Sequence, residues 1–139
     1  MGTIQRRVIE YKRQPTNSSC THTCVAMYKG IDPQEVIDRF PGERGSNVGL
    51  RRMLAHYQIP VIELNPALWL NVPGFAFLSI AIGHDQRHCV LAEVLANGRV
   101  NIWDPALGHQ DSVESPYLGD IAEVLVVIAD DAEEHGFSG

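Results

Sequence analysis

A chain of 139 residues with 45% hydrophobic and 20% charged content reads as an ordinary globular protein rather than a disordered or fibrous one, long enough to bury about two-thirds of its unfolded surface. Its formal net charge of -6 argues against a nucleic-acid partner, because phosphate binding needs a basic face and the basic residues come in scattered pairs, Arg6-Arg7, Lys12-Arg13 and Arg51-Arg52. Three cysteines are an odd number in a chain too large to be a disulfide scaffold, which suits a reducing compartment. Met1 to Arg7 lacks the apolar run of a signal peptide, and the longest apolar run, Gly74 to Gly83, is strand-length rather than membrane-spanning. The expectation is a cytoplasmic domain without a membrane segment.

Residues 3–13 alternate irregularly and suggest a first strand burying Ile4, Val8 and Tyr11. A polar loop, Gln14 to Ser19, then runs into a helix from Cys20 to Lys29 that places Cys24, Met27 and Tyr28 on one face and ends at Gly30. Asp32 as N-cap, Pro33 at the first position and Glu35 in capping-box register predict a second helix over Asp32 to Phe40. After the loop Pro41 to Gly45, the spacing of Leu50, Met53, Leu54 and Tyr57 predicts a third helix from Ser46 or Asn47 to about Tyr57. Val61 to Leu64 is a short strand, and Pro66 opens a brief helical turn carrying Trp69.

From Gly74 onward the pattern is sheet. Phe75 to Ile82 and His88 to Leu95 are apolar without helical period, Asn97-Gly98 is a hairpin turn, and Arg99 to Trp103 alternates. Asp104 to Pro116 reads as a polar loop, and the β-branched run in Ile121 to Ile128 favours a final strand over a helix. Residues 1–129 are expected to form one α+β domain, helices first and an antiparallel sheet second, with 130–139 an acidic, frayed tail.

The chemistry centres on Cys20. A thiol at a helix start feels the positive end of the helix, and unpaired N–H groups of the first turn can bind a thiolate or an oxyanion. Its polar company, Asn17, Ser18, Ser19, Thr21 and His22, is poor for a core. A nucleophilic cysteine needs an imidazole to take its proton and an acceptor to hold that imidazole. Antiparallel strands joined at Asn97-Gly98 bring His88, at the start of one, beside Asp104, at the end of the next. Gln14, six residues before Cys20, supplies an amide able to donate to an oxyanion. Asp85 is the alternative orienting carboxylate. His22, Asp85 and Gln86 are candidates for lining the cleft, and Cys24 and Cys89 read as core thiols. The rival is zinc held by Cys20 and Cys24 with His22, His84 or His88, but paired Cys-x-x-Cys spacings are missing, so no metal and no cofactor are expected.

Gln14, Cys20 followed by Cys24-Val25-Ala26-Met27, His88 and Asp104-Pro105 together resemble the papain-like cysteine peptidases, and most of all the subgroup that trims double-glycine leader peptides from bacteriocins. The likeness spans about residues 14–108 and is densest over 14–30 and 88–108. Where the family usually carries Asp-Cys-Gly, this chain has Ser19-Cys20-Thr21. The resemblance implies a papain-like fold, a Cys20-His88-Asp104 triad with Gln14 in the oxyanion hole, and a peptide or protein substrate with small residues beside the cleaved bond. It also implies two alternatives: a peptide-binding domain that does not cut, or a cysteine acyltransferase or deamidase.

Overall fold

The computed structural model of the chain describes residues 8–42, 47–81, 87–106, 109–111 and 121–128. Local signals set the helices. Helix α1, Cys20–Lys29, stops at Gly30, which takes φ 79° and donates its N–H to the Ala26 carbonyl at 2.8 Å. That left-handed cap costs glycine little and other residues more. Helix α2, Pro33–Arg39, starts where Asp32 accepts a hydrogen bond from the Gln34 N–H at 2.9 Å, with Asp32 and Phe40 standing as its caps. Helix α3, Asn47–His56, buries Leu50, Met53 and Leu54 on one face, as their spacing requires.

Six strands follow among the described residues: β1 Val61–Leu64, β2 Gly74–Ala81, β3 Arg87–Val94, β4 Val100–Asp104, β5 His109–Asp111 and β6 Ile121–Val127. They form one antiparallel sheet in the order β1-β6-β2-β3-β4-β5. The β-branched stretch of β6 is a strand, and Val124, Leu125 and Val126 are buried because it sits between β1 and β2. Between β1 and β2 a 3₁₀ helix, Pro66–Asn71, is capped by Asn65 and turns Trp69 inward to 5% exposure.

Alternation along the strands gives the sheet two apolar faces. Phe75, Phe77, Cys89, Leu91, Trp103 and Leu125 join the helix residues Cys24, Met27, Tyr28, Leu50 and Met53 in one cluster. Leu78, Ile80, Val90, Ile102, Val124 and Val126 join Trp69 in the other. The architecture is thus α+β, with N-terminal helices packed on one face of a C-terminal antiparallel sheet. Among the described residues no helix is long and apolar enough to cross a membrane.

Two expectations need correction. Residues 8–14 are not a strand: Val8 is 89% exposed, and the segment's hydrogen bonds go to the exit of β4, from the Tyr11 hydroxyl to the Asp104 carbonyl (2.5 Å) and from the Gln14 N–H to the Pro105 carbonyl (3.1 Å). Ile4 lies outside the described residues. The polar stretch after Asp104 is not all loop, since β5 pairs with β4 from Asp104↔His109 to Ile102↔Asp111. A short edge strand needs backbone hydrogen bonds rather than an apolar pattern. The β3–β4 turn lies where expected and comprises Ala96-Asn97-Gly98: Gly98 N–H donates to the Leu95 carbonyl, Leu95 N–H to the Arg99 carbonyl, and Gly98 takes φ 90°. The expected tail, 130–139, lies outside the described residues.

Phe77 lies on the central strand β2, fully buried, with its ring edge-on to Tyr28 at 5.8 Å between centroids. Phe77→Ala should therefore cost about 3–5 kcal/mol in urea unfolding, whereas Leu68→Ala, on the half-exposed outer side of the 3₁₀ helix, should cost less than about 1 kcal/mol.

Candidate active site

The site begins with a register. β3 and β4 pair from Val94↔Val100 to Leu91↔Trp103, and continuing that register by one residue sets Asp104 opposite Val90. His88 is two residues from Val90 on the same strand, so His88 and Asp104 share a sheet face as diagonal neighbours, close enough for two polar side chains to meet. They do meet: His88 Nε2 and Asp104 Oδ1 are 2.6 Å apart, with the histidine side chain 11% exposed and the carboxylate 1%. The same Oδ1 accepts the Ala106 N–H at 2.9 Å, an Asx turn that fixes the carboxylate just past the strand. Because Asp104 occupies Nε2, Nδ1 is the ring nitrogen left to serve a thiol.

The thiol coupled to that ring is Cys20: the His88 side chain and the Cys89 backbone both act to favour its ionised form, and its Sγ lies 3.9 Å from the Thr21 hydroxyl oxygen. The first turn of α1 therefore lies against residues 88–89, and a second contact holds it there one turn later, where the Cys24 thiol donates to the Cys89 carbonyl at 3.3 Å. The loop before α1 prepares its opening. Ser19 caps the helix by position, but its hydroxyl turns back to Thr16, donating to the carbonyl at 3.0 Å and accepting the Thr16 N–H at 3.1 Å. The Ser19 side chain therefore does not cap the first turn of α1, leaving N–H groups there for an anion.

Electrostatics couple the pair. Burial pushes the Cys20 thiol up, but the hydrogen bond to His88, the Cys89 backbone, the His88 charge and the Thr21 hydroxyl outweigh it and bring the thiol below its ordinary value. Burial pulls His88 down, yet its bonds to Asp104 and Cys20 and their negative charges raise it from 6.5 to about 10. Both shifts favour a thiolate beside an imidazolium over the neutral pair. The other cysteines are chemically unlike it. Burial, then the hydrogen bond and charge of Cys89, then the charges of Cys20 and Asp104, raise Cys24 well above the ordinary range. Cys89 alternates with His88 on β3, and its side chain joins the helix-side core instead of the imidazole.

Gln14 is tethered beside this group, its N–H on Pro105 and its side-chain Nε2 donating to the Thr16 carbonyl at 2.8 Å. The amide has a second N–H hydrogen, while its Oε1 is buried without a hydrogen-bond partner. His22 does not line a cleft: it is 3% exposed, and its Nε2 lies 3.0 Å from the Phe40 carbonyl, which ties α1 to the end of α2. The helix turns position 22 inward. Asp85 and Gln86 lie outside the described residues. Among the described residues no group of three or more His, Cys, Asp or Glu is arranged to hold a metal ion. The bond from Tyr11 to Asp104 gave no sign in the sequence, because its partner carbonyl is 93 residues away.

A thiolate, an imidazolium held by a carboxylate, and uncapped helix N–H groups can together attack an acyl carbon and stabilise the resulting oxyanion. The sequence matches no protein-family model and no curated protein. Among solved structures it is similar to a double glycine motif protease from an AMS/PCAT transporter, solved in complex with the leader peptide, over 86% of this chain and 90% of that chain, with a TM-score of 0.63 and 15% sequence identity. At that identity the likeness establishes the fold, which is papain-like.

Proposed function

We propose that the chain is a cysteine peptidase-like hydrolase whose residues 1–129 act as one domain on a peptide or protein substrate. The juxtaposition of Cys20, His88 and Asp104 carries the reading: identity, order along the chain and contact all suit a thiol nucleophile, its base and the base's orienting carboxylate. The Cys20 thiolate adds to the scissile carbonyl carbon, and the electron pair of the carbonyl moves onto oxygen. The Cys20 N–H and the free hydrogen of the Gln14 amide are the donors suited to that oxyanion. As the tetrahedral intermediate collapses, the imidazolium of His88 gives its proton to the leaving amine, leaving a thioester. Neutral His88 then takes a proton from water, whose hydroxide displaces the thiolate and releases the acid.

The structural relative is described as a double glycine motif protease bound to a leader peptide, and that likeness supports small residues, Gly or Ala, beside the cleaved bond. Odd, unpaired cysteines support work in a reducing compartment such as the cytoplasm. Thr21, where the resembled family usually has glycine, favours as a second reading a domain that binds a peptide without cutting it. Cys20→Ala separates the two: it abolishes the biological effect of a peptidase and leaves that of a binder intact. Acyl transfer and deamidation share the thioester, and only the acceptor or leaving group distinguishes them.

Iodoacetamide at neutral pH should label Cys20 ahead of Cys24 and Cys89, located by mass spectrometry. His88→Ala should slow that labelling about tenfold or more, since each unit by which the thiol pKa rises removes a factor of ten in thiolate. Preferential labelling of Cys24 or Cys89 would contradict the assignment. For hydrolysis, kcat/KM should rise with pH through the depressed thiol pKa, stay level, and fall as pH climbs through about 10, where His88 loses the proton it must give the leaving group. On a fluorogenic peptide panel, Gly-Gly and Ala-Gly substrates should be cut and those with large aromatic or aliphatic residues at the bond spared; the reverse would overturn the substrate assignment alone.

A further inference from the structure

The first turn of α1 holds two threonines that behave differently. Thr23 bonds back along the helix, its hydroxyl donating to the Ser19 carbonyl at 2.8 Å. That is the usual resting place of a helical threonine, whose hydroxyl finds the carbonyl three or four residues earlier. Thr21 has no such carbonyl in line, because residues 17 and 18 precede the helix in a turn. Its Oγ1 instead lies 3.9 Å from the Cys20 sulfur, with Thr21 1% exposed and Cys20 5%.

We propose that the Thr21 hydroxyl is a catalytic residue that donates a hydrogen bond to the Cys20 thiolate. The inference rests on the reading of Cys20 as the nucleophile and adds a group to that site. The direction of the effect follows from donor chemistry. A neutral thiol is a weak donor and a weak acceptor, so the contact gains little while the sulfur is protonated. Once the sulfur is ionised, the hydroxyl can only donate, and a charge-assisted bond in a site closed to water is worth roughly twice a neutral one. The contact thus favours the ionised sulfur, in the same sense as the shift of Cys20 below its ordinary value, to which Thr21 contributes. A glycine at this position has no group to offer. β-Branching at Thr21 also limits the rotamers through which the hydroxyl can leave the sulfur.

The test is the pH dependence of iodoacetamide alkylation at Cys20 in the full chain, for wild type, Thr21→Val and Thr21→Ser. The wild-type curve checks separately that Cys20 is the reactive thiol. Thr21→Val, which keeps the shape and loses the donor, should move the midpoint of the curve up by about half a unit to one unit, a three- to tenfold slower reaction below the midpoint. Thr21→Ser should stay within a few tenths of a unit of wild type. If Thr21→Val does not fold, Thr21→Ala is read the same way. A Thr21→Val curve that superimposes on wild type overturns the proposal while leaving Cys20 as nucleophile. So does a Thr21→Ser curve displaced as far as that of Thr21→Val, because the shift would then appear with the hydroxyl still present and could not be owed to the lost donor.

Discussion

Everything at the site depends on the hydrogen bond between His88 and Asp104 and on the register that makes it possible. The three-residue turn at 96–98 sets Val94 against Val100, and strand alternation does the rest, delivering both side chains to one face at the end where β3 and β4 part. A turn one residue shorter, with the same strand residues, would shift the pairing by one and send either the imidazole or the carboxylate to the opposite face. The structure secures this residue and its backbone from several directions: the Ala106 N–H binds Oδ1, the Tyr11 hydroxyl binds the Asp104 carbonyl, and the Gln14 N–H binds the next carbonyl along. An irregular N-terminal segment thus ties the orienting acid to the loop that precedes the thiol.

Burial and pairing pull on the thiol in opposite senses, and the balance decides its chemistry. An isolated cysteine as buried as Cys20 would be a poor nucleophile, as Cys24 illustrates one turn along the same helix. What separates the two is partners. Cys20 faces an imidazole that is itself held charged by a carboxylate, whereas Cys24 faces another thiol and two groups of negative sign. Moving the reactive sulfur by four residues along α1 would place it in the core, away from any proton acceptor.

Much of this was legible in the residues. Gly30, Asp32 and Pro33 mark helix ends by mechanisms that act within a few residues, and β-branching in β6 outweighs its helix-compatible length, so these elements fall where the sequence places them. His88 and Asp104 were readable because a single hairpin joins them. What escaped is non-local or purely a matter of backbone. β5 has no apolar pattern and exists because the edge of β4 offers hydrogen bonds. Tyr11 and the segment around it resembled a strand locally, but their partner is a carbonyl at the far end of β4. His22 sits among polar residues in the sequence and still faces inward, because the Phe40 carbonyl at the end of α2 gives its ring a partner. Thr21 reads as a departure from a family pattern until its hydroxyl is seen beside the sulfur.

The central claim is that Cys20 and His88 hold each other in their charged forms. It is tested most directly by nitrogen-15 NMR of the His88 ring across a pH titration, assigned with His88→Gln and repeated in Cys20→Ser. Both ring nitrogens should carry protons at pH 8 in the wild type and titrate near 10, and Cys20→Ser should lower that midpoint by removing the negative sulfur. A neutral ring at pH 8 with a midpoint near the ordinary 6.5 in both proteins would contradict the account.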